Sequence, residues 1–192
     1  MSKIILASAS PRRKELFEQT GIPFVVEVSD YREDMNLKLK PLELAKELSR
    51  GKAEAVAKNH KNEDAVIIGA DTFVVFKNKI LGKPHTAEKA KEMIKEMSGR
   101  GHSVITGFTV LDVKSGREVS RAVESKVFFR KLTDKEIDTY VKNGEPLDKA
   151  GAYAIQEFGS VLIKKVDGDY SNIVGLPLAP LIEELKKFGV KL

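Results

Sequence analysis

Apolar residues recur along this chain in two rhythms, one suited to strands and one to helices. Residues 3–7 form a short, almost wholly apolar run that reads as a buried strand, and a helix is expected over residues 11–20. Residues 24–28 are a second strand candidate. Pro41 opens a long helix to about Lys58, with Leu44, Ala45, Leu48, Ala55 and Val56 at helical spacing. Residues 65–69 are continuously apolar, and the run resumes at 73–76 after Asp71 and Thr72, which places Asp71 at the end of a strand. Lys77-Asn78-Lys79 reads as a hairpin turn into Ile80-Leu81.

The second half continues in the same way. Residues 86–97 read as helix with Gly99 as terminator. Two longer strands, near 103–113 and 118–130, are joined by the turn Lys114-Ser115-Gly116. Thr133-Asp134-Lys135-Glu136 has the spacing of a capping box and starts a helix to about Lys142. A strand near 161–166, a glycine-punctuated loop over 168–178 and an amphipathic helix over 178–188 complete the chain. Early alternation of strand and helix followed by hairpins argues for an α/β fold with a mixed sheet. No internal repeat, low-complexity tract or linker interrupts it.

Composition narrows the class. With 192 residues, the chain fits one domain or two closely packed lobes, and 42% hydrophobic against 32% charged residues describes a soluble globular protein. No stretch approaches the roughly 18–20 apolar residues of a membrane span. The opening apolar run is too short for a secretory signal, so a cytoplasmic location without a membrane partner is expected. The absence of cysteine excludes disulfides, zinc-thiolate sites and a thiol nucleophile. His60, His85 and His102 lack ligand spacing, so any metal is expected to be a hard cation, Mg²⁺ or Mn²⁺, on carboxylates and phosphate oxygens. The net charge of +5 comes from 33 basic and 28 acidic residues interleaved along the chain, which suits solvated helix faces rather than a nucleic-acid surface. Positive charge gathered in one place would serve a small polyanion equally well.

Several segments carry chemistry. In Ser8-Ala9-Ser10-Pro11-Arg12-Arg13, between strand and helix, Ser10 suits the N-cap and Pro11 the first helical position. Arg12, Arg13 and Lys14 then meet the positive end of the helix dipole, a conflict that a bound phosphate chain would remove and that solvent would otherwise screen. Asp71 in Gly69-Ala70-Asp71-Thr72 lies within an apolar run, where a carboxylate needs a partner; a metal, a water or a strand-terminating turn would each provide one. Lys83 sits on the Gly/Pro-stiffened loop Leu81-Gly82-Lys83-Pro84, either as a phosphate contact or as ordinary turn chemistry. Ser98-Gly99-Arg100-Gly101-His102 reads as a helix terminus, with His102 packed or at the surface rather than catalytic. Around Gln156, the small residues of Asp148-Lys149-Ala150-Gly151-Ala152-Tyr153-Ala154-Ile155 would admit a planar ligand. Gln156 can both donate and accept, as a uracil or thymine edge requires, although a tightly packed segment with an exposed Gln fits equally well.

Taken together, Ser-Pro-Arg-Arg, Gly-Ala-Asp-Thr, Gly-Lys-Pro, Ser-Gly-Arg-x-His with Thr-Gly, Asp-Lys-Ala-Gly-Ala-Tyr and Val-Gly-Leu-Pro resemble, in this order, the Maf family of nucleotide pyrophosphatases, once named for a link to septum formation. The form with Arg12, Thr72 and Gln156 resembles the subgroup acting on dTTP and UTP. The resemblance implies an elongated α/β fold with a mixed, curved sheet flanked by helices and a cleft between two lobes of a single domain over 1–192, similar to inosine triphosphate pyrophosphatases. It implies Asp71 as catalytic proton acceptor and metal ligand, with Glu33 helping to hold a divalent cation beside the rival carboxylates Asp30 and Asp34. Ser8, Arg13, Lys52 and Lys83 would contact phosphate, and Arg12, Thr72 and Gln156 would set base preference. The expected activity is hydrolysis of a nucleoside triphosphate to monophosphate and pyrophosphate in nucleotide-pool house-cleaning, and the resemblance allows a homodimer. The competing class is a non-catalytic nucleotide- or nucleic-acid-binding regulator of cell division, which would not need Asp71 beside phosphate-type ligands.

Overall fold

The computed structural model describes residues 2–35, 37–61 and 63–191. Its elements begin where local chemistry favours them. Strand β1 is Lys3–Ala7, and helix α1, Pro11–Glu18, starts with Pro11 in its first turn and the Ser10 hydroxyl accepting from the Arg13 N–H. Strand β2 shrinks to Val25–Val26, both exposed. Helix α2, Pro41–Ala57, is followed by strand β3, Ala65–Phe76. A turn with left-handed Lys77 and Asn78 leads to strand β4, Lys79–Leu81, the backbone that a two-residue hairpin requires. Helix α3, Ala87–Met97, is capped by Thr86, and strands β5, Gly101–Asp112, and β6, Glu118–Phe129, follow.

Helix α4, Asp134–Lys142, carries the expected capping box. The Thr133 N–H, with Arg130 and the Thr133 hydroxyl, holds the Glu136 carboxyl down at about 2. Strand β7 is Ile163–Asp167, helix α6 is Leu178–Lys187, and the stretch expected to be loop contains a five-residue helix α5, Tyr170–Val174. Asp169 explains that last difference. Its carboxylate accepts from the backbone N–H groups of Ser171 and Asn172 and from the Ser171 hydroxyl, nucleating a turn that glycine content alone argued against.

Among the described residues, seven strands form one sheet in the order β2-β1-β3-β5-β6-β7, with β4 beside β3. β1 is parallel to both β2 and β3, whereas β3–β4 and β6–β7 are antiparallel. The mixed α/β class expected from the element pattern is therefore present. Among the described residues, no helix is long and apolar enough to cross a membrane.

The chain divides into two compact units, the first formed by 1–71, 106–123 and 175–192 and the second by 72–105 and 124–174. Each has its own core. In the first, Ile5 and Ala7 of β1, Ala65 and Ile67 of β3 and Leu111 of β5 pack with Ala53 and Val56 of α2. In the second, α3, α4 and the strand residues Val74, Phe76, Val104, Val127 and Phe129 enclose Tyr140 and Tyr153.

Two glycines bring α2 unusually close to the sheet. A methyl carbon on Gly69 of β3 would overlap the Ser49 carbonyl oxygen, and one on Gly107 of β5 would overlap that of Ala45. Ala45 and Ser49 are one helical turn apart, so the helix backbone rests on two glycines of neighbouring strands. The Ser49 hydroxyl satisfies its hydrogen bonding in this dry interface, lying 2.9 Å from Thr109 Oγ1, which is 2.8 Å from Ser120 Oγ.

Elsewhere in the first unit, buried His60 joins two elements electrostatically. Its Nε2 is 2.7 Å from Glu27 Oε2. Its Nδ1 is 2.9 Å from Glu63 Oε1, an ion-pair contact without hydrogen-bond alignment, and Lys3 also reaches Glu63. The hydrogen bond to Glu27 leads the contributions that raise the imidazole pKa, and Glu27 and Glu63 are lowered. A raised folded pKa means that this stabilisation is complete below the unfolded value of about 6.5 and fades as pH rises through the folded value. His60→Gln is expected to cost about 1–2 kcal/mol at pH 5.5 and clearly less at pH 9 in urea denaturation. An equal loss at both pH values would discount the charged form.

Candidate active site

The first unit gathers polar groups around the carboxyl end of β1. β1 pairs with β3 up to Ala7 opposite Gly69, and the chain then leaves the sheet through Ser8 into α1. Buried Ser8 accepts from the Ser10 N–H at 3.2 Å and from Arg13 Nη1 at 3.3 Å. Arg13 also donates through Nε to the Gly175 carbonyl at 2.8 Å. Burial lowers the pKa of this guanidinium, Asp71 pulls it back up, Arg12 lowers it and Glu33 raises it, so both carboxylates lie within its field. Arginine remains charged under such conditions.

Asp71 is not at a strand end. It lies inside the twelve-residue β3 and is only 6% exposed. Sequence polarity suggested a break because an isolated buried carboxylate is costly. The cost is met by a partner 19 positions earlier in the chain: Lys52 Nζ donates to Asp71 Oδ1 at 2.6 Å. Period-two geometry explains the meeting. Ala65 and Ile67 face α2, so Gly69 and Asp71 do too, and Lys52 lies one turn beyond Ser49, which rests against Gly69. The same ammonium is 2.7 Å from Glu33 Oε1. Glu33 is exposed, on a segment where the Tyr31 ring fills the space that a Cβ on Gly51 would need.

Ser8, Arg13, Glu33, Lys52 and Asp71 are thus joined by hydrogen bonds, ion pairs or direct field effects. Arg12, half-buried, adjoins Arg13 on α1. The Gly175 carbonyl was missed as an individual anchor, although its Val-Gly-Leu-Pro segment was visible. Only a distant contact reveals that role. Asp30 and Asp34, the rival carboxylates, are both exposed.

The remaining candidates belong to the second unit. Thr72 follows Asp71 on β3 and is half-buried. Lys83 is exposed on a loop held by the Gly151 N–H donating to the Gly82 carbonyl at 3.1 Å and the His85 N–H to that of Leu147 at 3.3 Å. Gln156 is half-buried at the start of the 3₁₀ segment Glu157–Leu162, after the short 3₁₀ turn Ala150–Ala152. His102 is packed: its Nε2 is 2.7 Å from the Tyr153 hydroxyl, and burial pushes the imidazole down to about 4. It is neutral at pH 7, with its ring edge-on to Phe129.

Two carboxylates on one cation suit a hard divalent metal in composition. Mg²⁺ commonly takes one or two carboxylates and completes its shell with water and substrate phosphate. Among the described residues, no group of three or more His, Cys, Asp or Glu could hold a metal alone. Donors for an anion and a carboxylate pair that holds a cation, one member of it the buried Asp71, therefore lie together, an arrangement that can bind phosphate and activate a water.

The chain matches the family described as Maf-like protein over residues 3–188. It is 46% identical over 190 residues to the dTTP/UTP pyrophosphatase of Bacillus cereus strain G9842, covering 99% of this chain and 97% of the relative. It is 45% identical over 190 residues, with the same coverage, to the protein of that name in strain B4264. A solved structure of the nucleoside-triphosphatase / dITP/XTP pyrophosphatase of Mycobacterium abscessus aligns with a TM-score of 0.46 and 14% identity, over 99% of this chain and 98% of that one.

Proposed function

The chain belongs to the Maf family, and from that premise we propose that it is a nucleoside triphosphate pyrophosphatase acting on dTTP and UTP, with its full length working as one catalytic domain. The observation that carries the reading is the Arg13–Asp71–Lys52–Glu33 constellation in the first unit. A non-catalytic binder has no need to bury a carboxylate among phosphate-type donors.

In this mechanism Ser8, Arg13 and Lys52 hold the polyphosphate. Asp71 orients a water and accepts its proton as the oxygen attacks the α-phosphorus. The bond from the α-phosphorus to the bridging oxygen breaks, and the electron pair leaves with pyrophosphate. Arg13 and Lys52 stabilise the charge that develops on the leaving group. Asp71 and Glu33 are the residues that would hold Mg²⁺ or Mn²⁺, whose chemistry here is to neutralise phosphate charge. Lys83 is assigned a phosphate contact, and Arg12, Thr72 and Gln156 base selection, on their motifs.

Pyrophosphate release from a panel of nucleoside triphosphates, with and without Mg²⁺ or Mn²⁺, tests the reading. Metal-dependent release led by dTTP and UTP is expected, and no turnover from folded protein with metal present would overturn it. Gln156→Glu replaces one donor by a negative acceptor. It should reduce pyrimidine discrimination by about 1–3 kcal/mol, roughly five- to 150-fold in relative kcat/KM. An unchanged nucleotide profile would remove Gln156 from base selection.

A further inference from the structure

We propose that Lys52 is the resident counter-ion of the Asp71–Glu33 pair, so that the divalent cation enters only with the nucleotide, as a metal–nucleotide complex. The inference rests on the proposed reading of this site and adds the form of the substrate. The Lys52 ammonium lies 2.6 Å from Asp71 Oδ1 and 2.7 Å from Glu33 Oε1, which is the place between two carboxylates that a hard cation would take. Its side chain is 14% exposed and that of Asp71 8%, so solvent screens this contact poorly, whereas the Glu33 side chain is 43% exposed and its contact is the better screened of the two.

A bare dication arriving here meets three obstacles. It must displace an ammonium already satisfied by both carboxylates. It must then accept that ammonium as a like-charged neighbour, with the Arg13 guanidinium also in the field of Asp71 and Glu33. Finally, the protein supplies only two carboxylate ligands, since among the described residues no larger cluster exists. A triphosphate removes all three. It brings negative charge for Lys52 and Arg13 to turn to, and oxygen ligands to complete the metal's shell. Lys52 would thus hold the carboxylates in place in the free protein and hold phosphate in the complex.

The test is calorimetric titration of the full-length protein with MnCl₂, first without nucleotide and then with a dTTP analogue whose α–β bridge is methylene. Wild type, Lys52→Met and Lys52→Arg are compared, with thermal melting of each in the presence and absence of Mn²⁺. Expected are weak Mn²⁺ binding by wild type and Lys52→Arg alone and strong binding by wild type with the analogue. Lys52→Met without nucleotide should bind about tenfold or more tighter than wild type, with a Tm that rises with Mn²⁺. Two outcomes overturn the inference: wild type binding Mn²⁺ as tightly without nucleotide as with the analogue, or a cooperatively folded Lys52→Met that gains no affinity over wild type. The inference and the activity fail separately. Turnover of dTTP by wild type with no gain in Lys52→Met sinks only the counter-ion role. A gain without turnover of any nucleotide sinks only the pyrophosphatase reading.

Discussion

Asp71→Asn is expected to lower kcat for dTTP by about a thousandfold while leaving the protein folded. Asparagine keeps the shape of the side chain and can still meet Lys52 through its oxygen, so the backbone of β3 has no reason to move. The substitution removes the negative charge that accepts a proton and balances the buried ammonium. Lys52 then keeps Glu33 as its only carboxylate partner of the two, and the loss of the pair should appear as a modest fall in Tm. Steady-state pyrophosphate release, with circular dichroism to establish folding, checks both parts. A kcat within tenfold of wild type would show that another group takes the proton.

Gly69→Ala should destabilise the protein by about 3 kcal/mol and lower its Tm by roughly 10 °C. The added carbon meets backbone rather than a flexible side chain: the Ser49 carbonyl oxygen and the Ala53 nitrogen of α2. Relief requires moving the helix that carries Lys52, so activity measured well below the melting temperature should fall as well. Gly82→Ala is the comparison, because a carbon there meets nothing within 4 Å and the residue does not need a left-handed backbone. Its stability should stay within about 0.5 kcal/mol of wild type. A Gly69→Ala protein as stable as Gly82→Ala would mean that α2 can yield at no cost, and the close approach would lose its role in placing Lys52.

The two substitutions probe features that differ in how far they can be read from residues alone. Asp71 announced itself, since a carboxylate inside Gly69-Ala70-Asp71-Thr72 breaks an apolar run. Its setting did not. The same polarity argued for a strand end, and β3 in fact runs through Asp71 because Lys52, far away in sequence, satisfies the charge. Glu33 and Lys52 came only from the resemblance, as neither sits in a pattern that separates it from the many other surface acids and lysines. Edge effects misled in the opposite direction at β2. Four apolar positions among residues 24–28, interrupted by Glu27, suggested a full strand, but only Val25 and Val26 pair with β1, leaving both exposed on the sheet's outer edge.

What the sequence determined by itself is what few-residue chemistry controls. Ser10-Pro11, Thr86 and the Thr133/Glu136 box start their helices because each cap closes within three or four residues. The Lys77-Asn78 turn and the six ordered motifs that mark the family are legible for the same reason, being contiguous stretches. Only the tertiary structure decided which charges meet. The Lys52 bridge between Asp71 and Glu33 depends on α2 lying against Gly69 and Gly107, and Arg13 is aimed by a carbonyl 162 residues away. Such contacts follow from helix–sheet packing and strand register, which no local window of the chain encodes.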